Sequence, residues 1–111
     1  MNGLSHPERK IIRTILDDAA ARDLLVSVYD GEEWALTASD NMLSVAREIG
    51  NTCTTTLRFR KAALGADGKP EVVGSVFLVH GNDCDVISDY SDNPAMSELL
   101  MRATLLAEAL Q

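Results

Sequence analysis

The stretch that decides the fold is 52-TCTTTLRFRKAALGADGKPEVVGSVFLVH-80. Its first part alternates: Cys53, Thr55, Leu57 and Phe59 fall on one face, and Thr54, Thr56, Arg58 and Arg60 on the other. Period-two alternation describes a strand with one buried and one polar face. Ala66-Asp67-Gly68-Lys69-Pro70 then reads as a turn. From Val72 to His80 both parities are apolar, with Val72, Val76 and Leu78 set against Val73, Phe77 and Val79. Such a strand is expected to be covered on both faces, either as a central strand or under a partner.

Working outward, the chain before this region begins with a helix. Ser5 is the expected N-cap, Pro7 lies in the first turn, and Glu8 completes a capping box three residues on. Ile11, Ile12, Ile15, Leu16 and Ala19 form its apolar stripe, with Arg9, Lys10, Arg13, Asp17 and Asp18 on the other side. A hairpin is expected next, from Leu24–Tyr29 to Glu33–Ala38 around Asp30-Gly31, with Trp34, Leu36 and Ala38 sharing a face. Ser39 and Asp40 are candidate caps of a short helix through Met42, Leu43, Ala46 and Ile49, which Gly50 ends. Beyond the decisive stretch, Gly81-Asn82-Asp83 is a turn and Val86–Tyr90 a short strand. Asp92 or Asn93 caps a last helix that has Pro94 at its first position. Its stripe is Met96, Leu99, Leu100, Ala103, Leu106, Ala107 and Leu110.

The expected order is therefore α-β-β-α-β-β-β-α. Without repeats or a linker, residues 1–111 are expected to form a single α+β domain: one five-stranded antiparallel sheet with helices packed on it. This order is similar to that of profilin-like and roadblock-type domains. The resemblance implies a small module that pairs through a sheet edge or a helix.

Composition narrows the function classes. The chain has 111 residues, of which 46% are hydrophobic and 24% charged, as in ordinary globular proteins and unlike disordered ones. A net charge of −7 argues against holding a nucleic-acid backbone by bulk charge. No apolar run approaches the roughly 20 residues that cross a bilayer. The opening MNGLSHPERK lacks the apolar core of a secretory signal. Two cysteines, Cys53 and Cys84, are too few for a disulfide scaffold, so a reduced, cytoplasmic setting is expected.

The acid is unevenly spread. Residues 23–50 and 80–111 are strongly acidic, whereas 1–22 and 51–79 are net basic. If the two acidic blocks met they would form one surface able to steer a basic partner. The run His80-Gly81-Asn82-Asp83-Cys84-Asp85, followed by Asp89 and Asp92, is dense enough in oxygen ligands to suggest calcium. It lacks the EF-hand spacing, and turn and cap roles account for the same residues, so no metal is expected. Cys84 lies between carboxylates that disfavour a thiolate, and Cys53 reads as a small buried hydrophobe on its strand. Arg58, Arg60 and Lys61, beside Thr54 and Thr56, form either a polar binding strip or the solvated face of an edge strand, and the edge reading is preferred. Phosphate-binding glycine loops and the Gly-x-Ser-x-Gly nucleophile turn are absent.

These readings lead to an expected non-enzymatic protein–protein interaction module, an accessory or regulatory protein of the cytoplasm without cofactor. Its partner would be a protein, with a homodimer as one form, and neither nucleic acid nor membrane would be bound directly. Val73 and Val79 are the candidate interface residues, because the two-sided strand has to be covered. The alternative is an acidic inhibitor of the phage or plasmid type, a nucleic-acid mimic acting through Asp83, Asp85, Asp89 and Asp92. A small enzyme with an unrecognised site is a third, weaker reading.

Overall fold

In the structure, a computed structural model describing residues 1 and 3–111, Ser5 opens helix α1 (His6–Ala21). Its hydroxyl accepts from the Glu8 amide at 3.3 Å, and Glu8 Oε1 accepts from the Ser5 amide at 2.9 Å, completing the capping box. Ile11, Ile12, Ile15, Leu16 and Ala19 are buried as the stripe requires. Asp18 is the exception to the polar side. It is buried, and its carboxylate takes an ion pair from Arg102 of the last helix. Asp23, at φ 55°, turns the chain into the sheet.

Strands β1 (Leu24–Tyr29) and β2 (Trp34–Ser39) form the first hairpin. Asp30 Oδ1 accepts from the amides of Glu32 and Glu33, both at 2.8 Å, which fastens the turn. Those two bonds, from Glu33 first and Glu32 second, hold the Asp30 carboxyl below the ordinary aspartate range. Helix α2 (Met42–Arg47) is shorter than expected and is capped by Asn41, not by Ser39 or Asp40. The Asn41 side chain accepts from the amides of Leu43 and Ser44, and only a residue directly before the helix can reach both. Strand β3 (Thr54–Leu64) turns through Gly65–Lys69 into β4 (Pro70–Val79). A single turn of 3₁₀ helix, Asp83–Asp85, leads to β5 (Ile87–Tyr90). Helix α3 (Pro94–Ala109) closes the chain with Asn93 as its cap, accepting from the Met96 amide at 2.8 Å.

The order α-β-β-α-β-β-β-α and the five-stranded antiparallel sheet of an α+β fold are as the sequence implies. Within the sheet the strands run β2-β1-β3-β4-β5. All three helices pack on one face: α1 lies against β1 and α3, α3 against β4, and α2 against β1 and β2. Val26, Val28, Leu57, Phe59, Val76 and Leu78 point into this layer and are buried. Gly74 belongs to it as well, and its lack of a side chain is required there. A Cβ at Gly74 would stand 2.5 Å from Met96 Cγ, so α3 enters the fold in contact with the β4 backbone.

Two irregularities redistribute residues between the faces. Between Val28 and Tyr29 the partner in β2 jumps from Leu36 to Trp34, so Ala35 is bulged out. Trp34 and Leu36 thus lie on opposite faces, contrary to plain alternation: Leu36 packs on the core and Trp34 is 41% exposed. In β4 a register shift separates Gly74 from Val72. Val73 therefore packs against the core while Val72 faces out, 55% exposed.

Candidate interaction surface on the open face of the sheet

Among the described residues no helix covers the other face of the sheet, and its residues can be read off the registers. One row crosses all five strands as Trp34, Tyr29, Thr56, Phe77 and Asp89. The next, across β1, β3 and β4, is Ser27, Arg58 and Ser75, followed on the β4 side by Ser91, which exchanges hydrogen bonds with Ser75. A third is Leu25, Arg60 and Val72. Thr54 and Val79 pair at the far end of the same face. Phe77 is 38% exposed, so the face carries apolar and aromatic side chains that no described residue covers.

The charged groups of this face are ordered by packing. The Arg58 guanidinium stands over the Trp34 ring, 4.4 Å from its centroid, and the Tyr29 ring meets Trp34 edge-on at 5.2 Å. This cation–π stack desolvates one side of the guanidinium. Arg60 Nε is shielded from solvent and has no acceptor. A shallow depression of about 590 Å³ collects Arg58, Arg60 and Lys69, with Ser27, Thr37 and Val72 beside them. None of the three cations has a carboxylate partner among the described residues, in a chain with 17 acidic residues. Lys61, grouped with them by sequence, instead pairs with Glu71 at 3.4 Å.

Arg58 and Arg60 lie on β3, the middle strand, so the edge-strand explanation of their charge does not apply. The true edges are blunted in other ways. β2 has two register shifts and a left-handed Ala38, at φ 47°, and β5 is four residues long.

The candidate site residues separate in space. Val79 is on the open face, whereas Val73 lies on the helix side, where it lines a cavity of about 440 Å³ with Leu24, Ala62, Ala95 and Leu99. Asp83 and Asp85 sit in the turn before β5, Asp89 is on the open face beside Phe77, and Asp92 lies past the end of the strand. Among the described residues no three His, Cys, Asp or Glu side chains come together in a metal-holding group. Within the sheet the two acidic blocks occupy opposite edges, β2 and β5, while Asp23 of the first and Glu98 of the second line one cavity on the helix side. Cys53 lies just before β3 and is exposed, not buried on the strand, because pairing begins at Thr54. Cys84 is half-buried in the turn and unpaired.

A polar cluster that sequence spacing did not reveal joins the start of α1 to the end of β4. Buried Glu8 accepts from the Gly81 amide through Oε2 at 2.8 Å, in addition to its capping bond. His80 Nε2 lies 2.7 Å from Thr55 Oγ1, and His80 Nδ1 has no partner. Burial lowers the imidazole's pKa, with the nearby Glu8 carboxylate opposing it. Carboxylate, imidazole and hydroxyl are the chemical types of a hydrolytic triad, yet Thr55 is 1% exposed and the carboxylate does not orient Nδ1. The cluster fastens α1 to the sheet.

No protein-family model matches the chain, and no curated protein or solved structure shows significant similarity to it. The likeness to profilin-like and roadblock-type domains remains one of element order. No helix among the described residues is long and apolar enough to cross a membrane.

Proposed function

We propose that this chain is a non-enzymatic interaction module, an accessory or regulatory subunit that docks a protein partner on the open face of its sheet. The observation that carries the reading is the placement of Trp34, Phe77 and Val72 on a helix-free face, around a stacked Arg58 and two further unpaired cations. Exposed aromatics with an arginine are the side chains that supply most binding energy in protein interfaces. The stack of Arg58 on Trp34 and Tyr29 on Trp34 is formed before docking, which lowers the entropy lost when a partner binds. A cytoplasmic setting belongs to the proposal and draws on the two unpaired cysteines.

The inhibitor reading has less support, since Asp83, Asp85, Asp89 and Asp92 are distributed over a turn, a sheet face and a strand exit. It predicts that replacing these four by Asn abolishes binding to a nucleic-acid-binding protein.

The test is a cross-linked pull-down with three baits: wild type, Phe77→Asp with Val72→Asp, and Leu105→Asp on the exposed side of α3. Proteins held by the wild type should be lost from the first variant and kept by the second. Equal recovery on all three baits would remove the open face from the account.

A further inference from the structure

We infer that the occupant of the open face is a second copy of this chain, packed face to face about a two-fold axis that runs across the strands. The inference rests on the docking reading above and adds the partner and its orientation. What supports it is the placement of charge along the strands. The exposed acidic turn, Glu32 and Glu33 with Asp30, lies at the end of β1 and β2 that follows Tyr29. The cationic depression lies toward the opposite end, where Arg60 pairs with Leu25. Leu25 and Tyr29 are four residues apart, about 13 Å along a strand.

A two-fold across the strands lays each strand antiparallel over its own counterpart. The acidic turn of each copy then comes over the Arg60–Lys69 depression of the other, and both contacts form at once because the interface is isologous. The Trp34–Tyr29 row of one copy meets the Arg58 row of its partner near the axis, at the usual sheet-to-sheet spacing of about 10 Å. The other axis in the plane of contact, along the strands, would exchange β2 with β5. It would lay β3 on its own counterpart, with Arg58 and Arg60 facing their copies, and would set the Glu33–Trp34 corner opposite Asp89 of the open face. Like charges facing each other oppose that arrangement, so charge selects the first axis. Five strands about 4.8 Å apart and some 20 Å long present roughly 480 Å² in projection. This is below the roughly 800 Å² per partner of a standard stable interface, so self-association in the micromolar range or weaker is expected.

A charge-swap experiment by sedimentation equilibrium, up to millimolar chain, tests the inference. Arg60→Glu with Lys69→Glu, and separately Glu32→Lys with Glu33→Lys, should each weaken the dimer at least tenfold. An equimolar mixture of the two variants should restore it as a heterodimer, because both contacts are then again between opposite charges. The lysine variant brings the net charge of −7 closer to zero, so tighter self-association of that variant would show net repulsion at work and overturn the pairing. Lys69→Glu alone, at an exposed position, should weaken the dimer in the same direction if loss of Arg60 disturbs folding. A wild type that is monomeric at millimolar concentration overturns the self-pairing and leaves the docking reading to its own pull-down. A dimer indifferent to Phe77→Asp overturns both. A dimer sensitive to Phe77→Asp but not to either charge pair overturns the axis alone.

Discussion

The two faces of the sheet are made by the same five strands and answer to different physics. On the helix side, Val26, Leu57, Phe59, Val76 and Leu78 are shielded completely, and the α3 residue Met96 presses on Gly74. Removing volume there leaves a cavity and adding volume creates a clash, so each position tolerates little. On the open side, Trp34, Phe77 and Val72 keep a third or more of their surface in water, and the order there comes from the stacking of Arg58 on Trp34. One face holds the fold together, and the other is free to be used.

That contrast can be broken by measurement. The largest difference is expected between two phenylalanines: Phe59→Ala should cost about 3–5 kcal/mol in urea unfolding. Phe77→Ala, half-exposed on the open face, should cost no more than about 1 kcal/mol, and equal losses would mean that the open face is part of the core. Gly74→Ala should follow, at about 1–3 kcal/mol, because the new methyl must displace Met96. The Gly74→Ala, Met96→Ala double variant should lose less than the sum of the two single changes but stay below wild type, because φ 156° strains any side chain at Gly74 and Ser91 Cβ also lies 3.0 Å away. Arg102→Ala should cost about 1–3 kcal/mol, since it leaves the buried Asp18 carboxylate unpaired. An Asp18→Asn, Arg102→Ala pair should be milder than the sum of the single changes.

The pH dependence sharpens the comparison on the covered side. Burial lowers the folded pKa of His80, so the unfolded chain binds the proton more tightly. Stability is then highest above the unfolded histidine value of about 6.5, and falls as pH drops below it toward the folded value. The melting temperature should decrease between pH 7.5 and 5.5, and His80→Gln should flatten that slope. An unchanged slope would mean that other groups titrate. The smallest effect belongs to the open face: Arg58→Ala should cost about 0.5–1 kcal/mol while shifting the Trp34 emission, because the ring loses its cationic cover.

Much of this was legible along the chain. Ser5 and Glu8 announce the first helix, Asn93-Pro94 the last, and Leu57 and Phe59 the buried face of β3, because caps and alternation act over three or four residues. Trp34 and Val73 were not legible. Counting parity gives each a face, and a single bulge reverses parity for everything beyond it. Asp18 looked like a solvated helix residue because its partner, Arg102, is 84 positions away.

What the sequence by itself determined is the set of elements, their order, and the fact that β4 is apolar on both sides. These follow from short-range periods and capping chemistry, which neighbouring residues settle among themselves. Only the tertiary structure decided that β3 lies in the middle, that all three helices choose one face, and that Arg58, Arg60 and Lys69 gather on the other. Those outcomes depend on which strand pairs with which and on where the register slips, and both are set by packing between residues far apart in the chain.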